Sequence, residues 1–275
     1  MPEPSEAVPG RGSPMPPRPH RRILGVRVDD VTYNDALDTC ASVARLAGIG
    51  PGYSLPPCYA VTPNPEFVML ARRMPDFAEI LDGASVSVPD GVGLMLAAHI
   101  QGMPLREQVR GTDLAYGLME WAASSGARVF LLGAADGVAD AAAAKLCHRW
   151  PRLAVAGTFA GDASPAGDPA TRAAVVAAGR CDLLLVAYGA PRQERWIARN
   201  LHRLDVGLAI GVGGVLDFMA GRVRRAPEPI RRAGLDWLFR LAMQPSRFRR
   251  QATSIPAFVV LAAAEAIRMR LERRG

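Results

Sequence analysis

The run CDLLLVAY at residues 181–188 is the clearest indicator of fold class in this chain of 275 residues. It is almost continuously apolar, and so is the run VGLAIGV at residues 206–212. Strands that are covered by helices on both faces have this composition, whereas half-exposed strands alternate apolar and polar residues. Residues 193–204, between the two runs, follow a helical pattern. The sequence therefore predicts two parallel strands joined by a helix.

The same alternation of strand and helix continues through most of the chain, which favours a Rossmann-like α/β fold with a mostly parallel sheet flanked by helices. The helix that begins near Asp113 is predicted to be capped by Thr112 or Asp113. Further strands are predicted at residues 23–28, 58–61, 84–89, 128–133 and 153–156. Further helices are predicted at residues 33–46, 94–100, 113–124, 138–150 and 169–178.

Composition divides the chain into three parts. Residues 1–21 are rich in Pro, Gly and Arg, so they are predicted to be a disordered leader, and they lack the apolar centre of a secretory signal. Residues 22–221 form the α/β core, in which residues 48–57 are a loop with three prolines and three glycines. Residues 222–275 are predicted to be a helical appendage, divided into short helices by prolines at 227, 229, 245 and 256.

The appendage carries most of the positive charge. The chain has a formal net charge of +7, and residues 222–275 contain thirteen arginines and four acidic residues. Such a segment suits phosphates, an anionic membrane surface or nucleic acid. The apolar stretch at residues 256–267 is shorter than the roughly 20 residues of a spanning helix. It is expected either to lie in a membrane interface or to pack on its own domain or on another subunit.

Cysteine and histidine are sparse and scattered. No CxxC pair occurs, so neither a structural zinc site nor a disulfide framework is expected, and free thiols fit a reducing cytoplasm. The residues concerned are Cys40, Cys58, Cys147, Cys181, His20, His99, His148 and His202.

Polar side chains follow two of the predicted strands. Asp90 ends the strand at residues 84–89, and Thr62-Pro63-Asn64 ends the strand at residues 58–61. Open α/β sheets keep their ligands at the carboxyl ends of strands, so these side chains would meet in one crevice if the strands share a sheet. The simpler alternative is that Asp90 caps the next helix and that Thr62-Pro63-Asn64 is a turn.

Six segments in sequence order make the chain similar to the WecG/TagA/CpsF glycosyltransferases, over roughly residues 24–251. Each segment is weak evidence alone, whereas their shared order is specific. They are Thr62-Pro63-Asn64-Pro65-Glu66, Pro89-Asp90-Gly91, Arg110-Gly111-Thr112-Asp113-Leu114, Gly189-Ala190-Pro191-Arg192-Gln193-Glu194, Gly211-Val212-Gly213-Gly214 and Trp237-Leu238-Phe239-Arg240.

The resemblance assigns roles to several of these residues. It implies that Asp90 is the base that deprotonates the acceptor hydroxyl, with Thr62 essential beside it. It places Asn64 in the sugar pocket, and Arg110 and Gln193 along the donor pocket. Without the resemblance, Arg110 is typical of a surface ion pair and Gln193 of a helix start. Glu194 and Asp217 are secondary candidates.

The leaving diphosphate needs positive charge or amide donors. No Asp-x-Asp motif for a divalent cation occurs in the chain. The resemblance instead assigns Arg240, Arg247 and Arg250 to the diphosphate, although Pro245 interrupts the helix that would align them. The alternative is a solvated basic face. The helix that follows Gly189 also offers backbone amides to a phosphate.

The resemblance thus implies a cytoplasmic enzyme, peripheral on the inner face of the membrane, that inverts the anomeric carbon and uses neither metal nor other cofactor. Its expected donor is a UDP-sugar, typically UDP-N-acetylmannosamine, and its expected acceptor a polyprenyl-diphosphate-linked sugar in cell-surface polysaccharide or teichoic acid synthesis. Homo-oligomerisation is left open, and nucleic acid is not an expected partner. Two alternatives stay open: an NAD(P)-dependent oxidoreductase, although Gly211-Val212-Gly213-Gly214 falls short of GxGxxG, and a non-catalytic basic protein that binds membrane or nucleic acid.

Overall fold

The computed structural model describes residues 18–232, 236, 238–239 and 248–272. The strands are β1 His20–Ile23, β2 Val26–Asp29, β3 Cys58–Val61, β4 Val86–Ser87, β5 Arg128–Gly133, β6 Ala154–Phe159, β7 Cys181–Ala187 and β8 Val206–Gly211. The helices are α1 Tyr33–Leu46, α2 Pro65–Ala71, α3 Pro75–Asp82, α4 Val92–Ile100, α5 Gly111–Ser125, α6 Val138–Arg149, α7 Asp168–Ala177, α8 Arg192–Asn200, α9 Val215–Met219, α10 Glu228–Arg232 and α11 Phe248–Glu272.

Six parallel strands form the central sheet in the order β4-β3-β8-β7-β5-β6, which confirms the predicted α/β class. The apolar run of β7 is buried on both faces of the sheet, because helices cover each face. Leu183 and Leu185 point into the core that contains α1, α5, α6 and α9, whereas Leu184 and Val186 point into the core that contains α7 and α8. All four side chains are fully buried, as the continuous apolar pattern predicts.

The segment at residues 23–28 differs from its prediction as a single strand. It belongs to an antiparallel hairpin of β1 and β2, which turns at Leu24 and Gly25. Both turn residues have positive φ, 50° and 89°, a conformation that glycine adopts without strain. The hairpin starts at His20, and Arg18 pairs with Asp29.

Other element boundaries also differ from the predictions. Strand β4 is only two residues long, strand β6 continues to Phe159, and the short helices α2 and α3 were not predicted. The predicted cap of α5 by Thr112 or Asp113 is wrong. Its N-cap is Arg110, whose guanidinium has no acceptor atom for a cap bond, and a carboxylate from another loop accepts from the N–H of Gly111 instead.

The last helix also differs, because α11 is a continuous helix of 25 residues that contains Pro256. Proline removes one backbone hydrogen bond and usually bends a helix, but Pro256 lies on the exposed side, where a bend is tolerated. The predicted helix break at Pro256 is therefore wrong. Pro229, in contrast, lies in the first turn of α10, where proline is tolerated.

Helix α11 packs on its own domain, which was one of the predicted alternatives. Phe258, Ala262 and Ala266 are buried, and the first two join the cluster formed by α2, α4 and the hairpin. Glu265 accepts hydrogen bonds from the backbone N–H of Leu24 at 3.0 Å and from Nε2 of Gln101 at 2.5 Å. Among the described helices, none combines the length and apolar character that crossing a bilayer requires.

Phe258→Ala is expected to lower the free energy of unfolding by about 3 to 5 kcal/mol, because it removes a ring that is 1% exposed and leaves a cavity between α11 and the core. Chemical denaturation measures the change. The matched control is Val260→Ala on the same helix, whose side chain is 67% exposed and whose loss should change stability by less than about 0.5 kcal/mol. Equal effects of the two substitutions would contradict the docking of α11 on the core.

Candidate active site

The carboxyl ends of β3 and β4 bring Thr62 and Asp90 to one edge of the sheet, because the two strands are parallel neighbours. Backbone hydrogen bonds join the loops that follow them: the N–H of Asp90 donates to the carbonyl of Pro63 at 2.9 Å. The N–H of Val109 donates to the carbonyl of Pro89, also at 2.9 Å, which ties the start of α5 to the same place. The convergence expected from the strand pattern is present.

The side chain of Asp90 contacts the N-terminus of α5. Its Oδ2 accepts a hydrogen bond from the backbone N–H of Gly111 at 3.2 Å. The first N–H groups of a helix lack partners within the helix, and the positive end of the helix dipole favours a carboxylate there. Helix α4, which directly follows Asp90, has Gly91 as its N-cap and no side-chain cap bond. Asp90 therefore does not cap the next helix, and its carboxylate is oriented by α5 while remaining partly exposed.

Gly111 also brings Thr62 into this group. A Cβ atom at Gly111 would lie 3.1 Å from Oγ1 and 3.0 Å from Cγ2 of Thr62, so glycine allows the helix start to approach Thr62 closely. Thr62 is 8% exposed. Asp90 and Thr62 thus contact the same residue from two strand ends, and a hydroxyl and a carboxylate share one small region.

Asn64 has a local structural role, as the simpler turn alternative expected, but it also lies beside the candidate site. Its side chain accepts a hydrogen bond from the N–H of Phe67 at 3.1 Å and caps α2. It also lies against the Asp90 loop, because a Cβ atom at Gly91 would lie 3.7 Å from the Cβ atom of Asn64. The cap therefore fixes Asn64 beside the candidate site.

Arg110 links the site to the basic appendage. Its Nε donates to Oδ2 of Asp236 at 2.9 Å, and its Nη1 lies 4.0 Å from Oδ2 of Asp113. Arg225 pairs with the same Asp113. The ion pairing expected of Arg110 without the resemblance is present, and its partner Asp236 belongs to the C-terminal segment. Since Arg110 directly precedes Gly111, this segment reaches the edge of the site.

Gln193 and Gly189 lie at the same carboxyl edge, after β7. Oε1 of Gln193 accepts hydrogen bonds from the N–H of Gly189 at 3.0 Å and from the N–H of Gly213 at 2.9 Å. Gly213 follows β8, the neighbour of β3 in the sheet. Gln193 is 3% exposed, so its described contacts join two loops of the protein.

Glu194, a secondary candidate from the sequence, is a buried ionisable residue next to Gln193. It is 2% exposed, and burial raises its pKa to about 7. Its Oε1 accepts from Nε2 of Gln193 at 2.6 Å, and within the described structure its Oε2 has no hydrogen-bond partner. The position of a glutamate in the first turn of a helix predicts an exposed side chain, so only the packing of α8 against the sheet reveals this burial.

The assigned arginines of the appendage fall mostly outside the description. Arg240 and Arg247 lie outside the described residues, and Arg250 lies in α11, with its side chain outside them. Within residues 18–232 and the described C-terminal parts, no group of three or more His, Cys, Asp or Glu side chains lies close enough to hold a metal ion.

Comparison with known proteins separates the alternatives. A family model described as "Glycosyl transferase WecG/TagA/CpsF family" matches residues 21–272. Three relatives named N-acetylglucosaminyldiphosphoundecaprenol N-acetyl-beta-D-mannosaminyltransferase are similar to the chain. That of Bacillus spizizenii is 33% identical over 73% of this chain and 77% of its own length. That of Bacillus subtilis is 30% identical over 72% and 76%. That of Staphylococcus aureus strain MW2 is 30% identical over 86% and 89%.

These matches favour neither an oxidoreductase nor a non-catalytic basic protein, and they cover both the sheet and the appendage. The match also includes the segments that contribute Thr62, Asp90 and Gly111 to one edge of the sheet. The chain is a glycosyltransferase and belongs to the WecG/TagA/CpsF family.

Proposed function

We propose that this glycosyltransferase moves N-acetylmannosamine from a UDP-sugar to N-acetylglucosaminyl-diphosphoundecaprenol, in the synthesis of a cell-surface polysaccharide or teichoic acid. The names of the three relatives describe such an acceptor and a β-linked product. The observation that carries the proposal is the carboxylate of Asp90, held at the tip of β4 beside Thr62 by the N-terminus of α5.

Asp90 acts as the general base in this proposal. The acceptor hydroxyl oxygen forms a bond to the anomeric carbon while the bond from that carbon to the UDP oxygen breaks, and the hydroxyl proton passes to Asp90. A single displacement of this kind inverts the anomeric carbon, so an α-linked donor gives a β-linked product. Partial exposure of Asp90 leaves room for the acceptor, and the bond from Gly111 fixes the direction of its carboxylate.

The departing UDP is stabilised by arginines rather than by a divalent cation. The chain lacks an Asp-x-Asp motif, and thirteen arginines lie in residues 222–275. The Arg110–Asp236 pair supports the placement of the appendage, because it brings the C-terminal segment to the residue that precedes Gly111. Arg240, Arg247 and Arg250 supply the positive charge in this proposal.

The lipid-linked acceptor places the enzyme at the inner face of the cell membrane. The basic appendage attracts anionic lipids, and each arginine near the surface contributes about 1 kcal/mol to that attraction. The exposed face of α11, opposite the buried Phe258, carries Val260 and Leu271. We propose that this face and the arginines that follow it meet the membrane while the core remains in the cytoplasm.

A panel of UDP-sugars tests the proposed reaction. The full chain is incubated with each donor and a short-chain polyprenyl-diphosphate N-acetylglucosamine, and released UDP is measured with and without EDTA. We expect release to depend on the acceptor, to be greatest with UDP-N-acetylmannosamine and to be unchanged by EDTA. Loss of release in EDTA, restored by added magnesium, would contradict the metal-independent mechanism. Equal release without acceptor would contradict the transfer itself.

A further inference from the structure

Two glycine-containing loops at the carboxyl edge of the sheet are joined through a single side chain. The loop after β7 contributes the N–H of Gly189 and the loop after β8 contributes the N–H of Gly213, and both donate to Oε1 of Gln193. Both glycines have positive φ, 75° and 55°, and a Cβ atom at either would meet no neighbour within 4 Å. The positive φ angles, rather than contacts with neighbouring atoms, therefore set the direction in which these two N–H groups point.

The orientation of the Gln193 amide follows from these donors. An amide has one oxygen, which accepts, and one NH₂ group, which donates. Since two backbone N–H groups point at one end of the side chain, the oxygen must occupy that end, and Nε2 must face Glu194. Nε2 donates to Oε1 of Glu194 at 2.6 Å. A buried amide that lost this acceptor would leave an NH₂ group unsatisfied, which is costly in the protein interior.

Glu194 is held against the sheet by close packing. A Cβ atom at Gly211 would lie 2.6 Å from Oε1 of Glu194 and 2.5 Å from Nε2 of Gln193, so the absence of a side chain at Gly211 makes room for the pair. Burial favours the neutral carboxyl, and the bond from Gln193 only partly opposes it.

The charged side chains around α8 are paired elsewhere. Arg195 pairs with Asp76 of α3, and Arg199 pairs with Asp168 of α7. On neighbouring elements, Arg172 of α7 donates to Asn200, and Asp182 of β7 pairs with Arg180. The other charged or titratable side chains of α3, α8 and the turn that follows α8 are Glu79, Asp82, Arg192, His202 and Arg203. None of these groups contributes to the raised pKa of Glu194, which has burial as its first cause.

We propose that Glu194 is a positioning residue of the donor site, which acts through Gln193 to hold the Gly189 and Gly213 loops together for binding of the nucleoside diphosphate. The choice of a nucleoside diphosphate as the ligand rests on the proposed function, whereas the joining of the two loops through Gln193 does not.

Hydrogen exchange and UDP binding test this role in three proteins: the natural chain, Glu194→Gln and Glu194→Leu. Gln keeps an acceptor oxygen for Gln193, whereas Leu fills similar space without one. At pH 6 we expect the amides of Gly189 and Gly213 to be protected in the natural chain and in Glu194→Gln, and to lose protection in Glu194→Leu. Calorimetric titration with UDP should show about tenfold weaker binding by Glu194→Leu only.

A purely structural role would give a different pattern. The loss of one hydrogen-bond acceptor is small against the stability of a folded domain, so Glu194→Leu should keep the protection of the β5 and β7 amides. The control is Glu79→Gln on the exposed side of α3, which should match the natural chain throughout.

Two results would overturn the proposal: unchanged loop protection in Glu194→Leu, or equal loss of protection in Glu194→Gln and Glu194→Leu. The exchange measurement needs no substrate. Failure of the natural chain to bind UDP would therefore count against the proposed donor, while the exchange pattern would still decide the role of Glu194.

Discussion

Asp90→Asn is expected to keep the fold and to lower kcat by about 10²- to 10⁴-fold, the range that a positioned general base contributes. Asparagine has the same shape, and its Oδ1 can still accept the hydrogen bond from the N–H of Gly111 that now ends on Asp90. It cannot take a proton from the acceptor hydroxyl. The substitution therefore removes the chemistry and keeps the geometry. Initial rates of UDP release from the donor and lipid-linked acceptor measure the effect.

The matched control is Asp76→Asn. Asp76 is an exposed carboxylate on α3 that pairs with Arg195 of α8. The pair with Arg195 holds the pKa of Asp76 below its usual value, but such exposed pairs contribute little to stability. We expect the control to retain the natural rate. An unchanged rate in Asp90→Asn would exclude Asp90 as the base, and KM for the donor should be nearly unchanged in both variants.

The central sheet was predictable because its strands are buried on both faces. Leu183 to Val186 supply apolar side chains to both neighbouring cores, and this requirement leaves a continuous apolar run in the sequence. The hairpin of β1 and β2 was not predictable in the same way. Residues 23–28 alone do not indicate that Leu24 takes a positive φ and that the chain reverses there. The continuity of α11 through Pro256 also depends on tertiary packing, through Phe258 and Glu265.

The candidate site likewise combines one contact that the sequence pattern predicts with others that depend on how the helices and strands pack. The meeting of Asp90 and Thr62 follows from one rule, that neighbouring parallel strands end at the same edge of the sheet. The donor to Asp90 is a backbone N–H of Gly111, which no side-chain pattern specifies. The pairing of Arg110 with Asp236 spans 126 residues, and the burial of Glu194 depends on how α8 lies on β8. Contacts of this kind are decided by the packed fold.

The second large effect concerns the charge that stabilises departing UDP. The double substitution Arg240→Gln and Arg247→Gln is expected to lower kcat/KM by about 10²- to 10³-fold, because preorganised donors at a developing charge contribute an amount of this order. Truncation of the appendage cannot test the point, since α11 supplies Phe258 to the core and its removal would unfold that region. Glutamine keeps most of the length of each side chain and removes only the guanidinium.

The control for this variant removes two charges from the same appendage at Arg268 and Arg270. Arg268 is 69% exposed and pairs with Glu272, and Arg270 donates to the carbonyl of Ile100 on the surface. A membrane role depends on the number of charges near the lipid, so both double variants should weaken binding to anionic vesicles by about 2 kcal/mol. A role at the diphosphate depends on position, so only the Arg240 and Arg247 variant should lose turnover of a soluble, short-chain acceptor. Equal turnover by the two variants would mean that the appendage serves the membrane alone.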